Sequence, residues 1–347
     1  MHRIRDMRFG VIAATLLLAA CDVPTDLPKW NPRYAVPLES TTIPLAQLLP
    51  AGVTVSADGL VFLMSTGSLV VPLRLMDACV ACRPYEGLVV TKPAFQIGVG
   101  HGLPLPQGVD SASIVGGSLN FRITNGWSFD PLRPGGAQTG LIGVNVTGRD
   151  ARPLGFAVLF GTDHALPPGS SISHSLTFTG TPTTNPVLRL DINSPEGGPV
   201  VIDGQSTLTF VLNSGQLVAT DVKVTVAQRQ LTGIPLQLDL TGIDDFIIER
   251  VQSGKLVLTL DNGFAVRGTM TLSITGGLMP IVKTFTLEAE HTTAEVTFSE
   301  EEMESILGQS LVASLSGFVS TNGSVSLMPR SVFRVEPLLV LELGATS

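Results

Sequence analysis

The sequence predicts an all-β protein, a tandem of antiparallel β-sandwich modules with few short helices. Three observations carry that reading. First, apolar residues recur with period two in Leu119/Phe121/Ile123, Ile142/Val144/Val146, Leu188/Leu190/Ile192, Val222/Val224/Val226, Leu256/Leu258/Leu260 and Met270/Leu272/Ile274. Alternation of this kind fits strands with one buried and one wet face. Second, 36 glycines and 24 prolines among 347 residues favour frequent turns over long helices, and short strands with turn signals every 8–12 residues point to sandwiches or barrels. Third, two blocks repeat in the same order. Gly117-Ser-Leu-Asn-Phe-Arg-Ile-Thr-Asn125-Gly126-Trp127 aligns with Gly254-Lys-Leu-Val-Leu-Thr-Leu-Asp-Asn262-Gly263-Phe264, and the block from Gly198 to Phe210 aligns with that from Gly323 to Val335. Each copy spans about 100 residues, the usual size of a seven-stranded sandwich.

Composition narrows the function classes. Apolar residues make up 44% and charged residues 14%, against roughly 25% charged in typical soluble domains, so a disordered chain is excluded. With 21 basic and 29 acidic side chains the net charge is −8, which offers no footprint for nucleic acid.

Taken in order, the chain opens with Arg3, Arg5 and Arg8, followed by an apolar run from Phe9 to Ala20 broken only by Thr15. A basic start before about a dozen apolar residues reads as an export signal, too short to span a bilayer as a helix. It ends Leu18-Ala19-Ala20-Cys21, which resembles the lipobox of bacterial lipoproteins. That resemblance implies cleavage before Cys21, a diacylglyceryl thioether on its sulfur and an acylated amino terminus. Two or three chains anchor stably where one is marginal. Removing residues 1–20 takes away three arginines and one aspartate, so the mature net charge moves from −8 to −10. Lipid, then, and not a basic patch, holds the chain to the membrane. The address implied is the cell envelope: the periplasmic face of the inner or outer membrane, or the cell surface.

Residues 21–33 hold three prolines and read as a semi-extended tether. Residues 34–108 are expected to form an N-terminal β module, with a hairpin over 53–64 turning at Asp58-Gly59. The first sandwich repeat is placed at 109–229 and the second at 230–347, separated within the run 228–235. Asn125-Gly126, Asn262-Gly263 and Asn322-Gly323 lie between alternating runs and read as two-residue hairpin turns, because both residues tolerate positive φ. One helix is predicted, over residues 300–307. Ser299 is its N-cap, and Glu300, Glu301 and Glu302 complement its dipole. The strand-and-loop pattern of the body resembles immunoglobulin-like or late-embryogenesis-type sandwiches.

Chemistry-bearing residues are sparse. With Cys21 assigned to lipid, Cys79 and Cys82 remain, and in an exported chain two nearby cysteines most simply form a disulfide. A redox pair would open a helix, whereas Arg83-Pro84 follows here, and zinc would need two further ligands. His101, His164, His174 and His291 share no metal-ligand spacing, and no nucleophile elbow, phosphate loop or calcium loop occurs. No catalytic residue, metal or cofactor is therefore assigned. Three readings follow: a non-enzymatic envelope lipoprotein that binds an envelope protein or wall partner or plays a structural role, a carrier of lipid or another apolar ligand, and an enzyme of unrecognised type. For a binding role the candidate surface is the loop 129–140, with Trp127, Phe129 and Arg133 as contact residues; the alternative reading of Trp127 is a plug at the sandwich end, as Phe264 would be in the second copy.

Overall fold

The computed structural model describes residues 32–135, 137–148, 153–288 and 290–344. The export signal over 1–20, Cys21 and nearly all of the tether over 21–33 lie outside the described residues. Short strands open the fold: β1 (Arg33–Pro37), β2 (Thr41–Ile43), β3 (Val53–Val55), β4 (Phe62–Ser65) and β5 (Leu69–Arg74). A one-turn helix, Leu75–Ala78, and a 3₁₀ segment, Val80–Tyr85, lead to β6 (Val89–Lys92) and β7 (Phe95–Gly102). Then come β8 (Val109–Asn125), β9 (Leu141–Thr147), β10 (Pro153–Phe160), β11 (Ser171–Thr184), β12 (Val187–Ser194), β13 (Gly197–Val201) and β14 (Thr207–Val224). The last third holds β15 (Arg229–Leu236), β16 (Val251–Asn262), β17 (Val266–Thr275) and β18 (Ile281–Leu287). It closes with β19 (Glu290–Phe298), β20 (Val312–Thr321), β21 (Val325–Leu327) and β22 (Phe333–Leu343). The protein is all-β and antiparallel, with few short helices, as the alternation predicts.

Two sandwiches share one topology. In the first, a sheet ordered β11-β8-β14 lies over a sheet ordered β10-β9-β12-β7. In the second, β19-β16-β22 lies over β18-β17-β20-β15. Strand for strand the two orders are the same, with β8 matching β16 and β14 matching β22, as the sequence repeat aligns them. Period-two residues fill both cores. Leu119, Phe121 and Ile123 meet Ile142, Val144 and Ile192 in one; Leu256, Leu258 and Leu260 meet Met270, Leu272 and Leu315 in the other. Burying each such side chain contributes about 1.5–3 kcal/mol.

The segment 34–108 has no sheet of its own, contrary to the expected N-terminal module. Strands β1 and β2 pair with β22 of the second sandwich, while β5 and β4 pair with successive stretches of β14 in the first. Strand β7 pairs with β12, so the first sandwich begins well before residue 109. The second is likewise larger than 230–347, since residues 33–43 complete its sheet. Alternation is a local property, whereas the choice of neighbouring strand is not, so the pattern found these strands and misassigned them. The run 228–235 is not a linker either: Arg229 to Leu236 is β15, paired with β20 from Val319 to Ala313.

Local signals fared unevenly. The hairpin β3–β4 forms in the expected register, Val53 opposite Met64, with Gly59 at φ +69° in its turn. The helix Glu300–Ile306 has Ser299 as cap, its hydroxyl accepting from Glu302 N while Glu302 returns a bond to Ser299 N. The Asn-Gly pairs are not hairpin turns, for β8 and β9, β16 and β17, and β20 and β21 lie in different sheets. Asn125 and Asn262 are instead buried corner residues. The Asn125 amide donates to Phe129 O and Leu166 O while its oxygen accepts from Trp127 N. Asn262 repeats this with Val266 O, Glu288 O and Phe264 N. A chain leaving one sheet for the other frees backbone groups that need partners, and one buried amide supplies them.

Candidate functional site

The second sandwich receives the N-terminal chain at one end: Pro32 O accepts from Leu343 N, and Arg33 lies opposite Glu342. At its other end it meets the first sandwich through residues 225–228 and 44–52. Beyond that junction β14 runs 18 residues to the far end of the first sandwich. That far end is the candidate site.

It is closed by a cap. Leu75 N bonds Ser206 O, Cys79 N bonds Leu75 O at 2.7 Å, and Cys82 N bonds Cys79 O at 3.0 Å, setting the two cysteines 5.3 Å apart at Cα in a disulfide. Both sulfurs are buried in the core. Glu86 accepts from Gly204 N, fastening the cap to the loop after β13, and Arg83 donates to Met76 O within the cap.

Beneath the cap lies an aromatic cluster. Trp127 stacks on Phe129 with centroids 5.7 Å apart, Phe95 meets both edge-on, and the indole N–H donates to Leu73 O. Trp127 is 0% and Phe129 3% exposed. They fill the sandwich end, as Phe264 does in the second copy, and offer no face to a partner. Arg133 is exposed, but its guanidinium is committed to Gly161 O and Thr162 O. Asp130 folds the loop inward by accepting from Leu132, Arg133 and Leu166 N–H groups. Of the expected contact trio, then, two are core and the third is a loop brace.

Lys92 is the least expected member. Its ammonium is buried, donates to Pro93 O at 2.8 Å and Pro195 O at 2.6 Å, and sits over the rings of Phe95 and Phe129 at 4.8 and 5.2 Å. Burial lowers its pKa to about 8, against the opposing pull of Glu196. Nearby Ser194 Oγ is buried without a partner among the described residues.

The exposed part of this end is apolar. Val89 (65% exposed) lies opposite Val201 (47%) in the β6–β13 ribbon, beside Leu88, Tyr85 and Val80. Leu88 N bonds Tyr85 O and Ile202 N bonds Leu88 O, so the ribbon and the disulfide cap form one surface. Sequence reasoning passed over these residues because Leu88-Val89-Val90 is a short apolar run of the kind a buried strand also carries. Only the pairing of β6 with β13, at the margin of the fold, leaves them uncovered.

Among the described residues no three His, Cys, Asp or Glu side chains gather as metal ligands. Between the sheets of the second sandwich, a cavity bounded by Leu38, Leu256 and Leu339 measures about 10 Å³. A groove of about 320 Å³ lies at the junction, lined by Leu48, Pro50, Gly108, Thr225 and Arg229.

No family model and no curated protein matches the chain. Among solved structures, it is similar to a candidate secreted protein from Parabacteroides distasonis ATCC 8503. The identity is 9% and the TM-score 0.34, over 90% of this chain and all of that one. It is also similar to a chain of Broad Bean Stain Virus, with 11% identity and TM-score 0.23 over 87% of this chain and 95% of that one. Likenesses this distant bear on neither function nor partner.

Proposed function

We propose that this protein is an exported, lipid-anchored envelope protein that acts by binding, holding an apolar tip away from the membrane. The observation that supports it is directional. The chain following Cys21 joins the second sandwich at the end farthest from the junction, and the apolar, disulfide-capped surface lies at the opposite extreme of the first. An anchor at one end and a surface at the other make a spacer with a contact face. Exposed apolar groups that cluster this way mark interaction sites more often than scattered ones do. Within the second sandwich, the cavity of about 10 Å³ between the sheets barely admits one water and leaves no room there for a carried lipid.

Two measurements test the reading. Cys21→Ser should abolish sedimentation with membranes in detergent-free buffer; a variant that still matures and sediments removes the anchor. A photocrosslinker at Val89 should trap an envelope component in intact cells, and Val201→Asp should abolish the adduct. If Val89 yields no adduct while the protein is correctly localised, the tip is not the binding surface.

A further inference from the structure

The two sandwiches share one strand order, so the exposed edge of each can be judged against the other. In the second, edge strand β18 carries Lys283, whose ammonium pairs with Glu302 of the helix Glu300–Ile306 at 2.6 Å. A charge on an edge strand disfavours pairing with another chain. In the first, the equivalent edge strand β10 reads Pro-Leu-Gly-Phe-Ala-Val-Leu-Phe and carries no charge. The connection from β11 to β12, where the second copy inserts its helix, is only residues 185–186. Among the described residues, strand β10 has β9 on one side and no paired strand on the other. Its outer face presents Phe156 (67% exposed) and Phe160 (49%) with Val158 between them, while Ala157 and Leu159 face the core.

Residues 153–155 are already occupied: a Cβ added at Gly155 would meet Phe178 Cβ at 2.4 Å, so β11 lies against them. The free stretch is 156–160, Phe-Ala-Val-Leu-Phe, which reads nearly alike in both directions about Val158. An antiparallel match of this stretch with itself places Phe156 against the partner's Phe160, Val158 against the partner's Val158, and opposes no charges. On a chain of net charge −8, it is a strand edge on which a second copy meets no like charge.

We propose that β10 is a dimerisation edge: two copies of this chain pair through residues 156–160 about a two-fold axis at Val158, joining two four-stranded sheets into one of eight. Such a contact is isologous and closes at two copies. The axis reverses strand direction, so the two N-terminal ends face opposite ways. With Cys21 as anchor, which is the one part of this that rests on the function proposed above, the dimer joins two apposed membranes.

The test uses the full chain carrying Cys21→Ser, which leaves Cys79 and Cys82 as its only cysteines and makes the outcome independent of lipidation. Cα atoms directly opposite across an antiparallel pair are about 4.5–5.5 Å apart, within disulfide reach. Val158→Cys should therefore convert most of the chain to a reducible dimer under mild oxidation. Val282→Cys, at a more exposed position (64%) on β18, should give at least tenfold less. In sedimentation, Phe156→Lys with Phe160→Lys should weaken self-association at least tenfold. Phe156→Lys with Phe160→Glu should restore it to within about threefold, because each introduced lysine then faces an introduced glutamate. These side chains are exposed, so circular dichroism should stay strand-dominated throughout. Equal crosslinking at the two positions, or indistinguishable double variants, would overturn the proposal.

Discussion

At the scale of single residues, buried polar groups organise both sandwich ends, and Lys92 is the one whose protonation can be read out. Its folded pKa is about 8 against 10.5 in an unfolded chain. Between those values the unfolded state binds more protons, so stability should rise as pH increases from about 8 to 10.5. Below pH 8 both states hold the proton, and the full cost of a buried ammonium is present and constant. Denaturant midpoints measured from pH 7 to 10 should climb more steeply in the wild type than in Lys92→Met; parallel curves would show that burial does not perturb this ammonium. Asn125 and Asn262 make a related point about legibility. Their positions before glycine were visible in the sequence as turn signals. Their burial, and the repeated bonds to backbone at the corner, depend on which sheet the next strand joins, and neighbouring residues do not encode that.

At the scale of elements, the split strands are the feature that alternation could not place. Strand β14 is edged by β5 and β4, and β22 is edged in the same way by β2 and β1. Residues 33–43 thus complete a sandwich whose other strands begin nearly 200 residues later. Ile43 is buried and Val36 and Leu38 pack on its core, so the contribution is apolar as well as through backbone bonds. A fragment spanning 229–344 should consequently melt lower than one with residues 32–43 fused back to it. A synthetic 32–43 peptide should raise the melting temperature of the short fragment in a concentration-dependent way. An unchanged melting temperature would mean β22 needs no cover. The helix Glu300–Ile306, by contrast, was legible in full, because a capping box and a run of acidic residues act within one turn.

At the scale of the whole molecule, the two sandwiches are stitched together. Arg229 donates to Gln47 O and Leu49 O, Asp110 accepts from Thr225 and Ser324 hydroxyls at 2.6 Å, and β21, which follows the second sandwich's β20, pairs with β14 of the first. Together with the crossing of residues 44–52, these contacts couple the halves, and calorimetry should show one cooperative transition. Arg229→Ala with Asp110→Ala should split it into two, and a single transition in the double variant would place the coupling in the backbone crossings alone. The sequence by itself determined the strand class, the burial of alternate residues, the repeat, the capped helix and the pairing of Cys79 with Cys82, since each depends on residues close together in the chain or on a pattern carried twice. Only the tertiary structure decided that residues 33–43 belong to the second sandwich, that Trp127 and Phe129 are plugs, and that Val89, Val201, Phe156 and Phe160 are left uncovered. Strand pairing joins residues distant in sequence, and exposure is what remains once every pairing has been made.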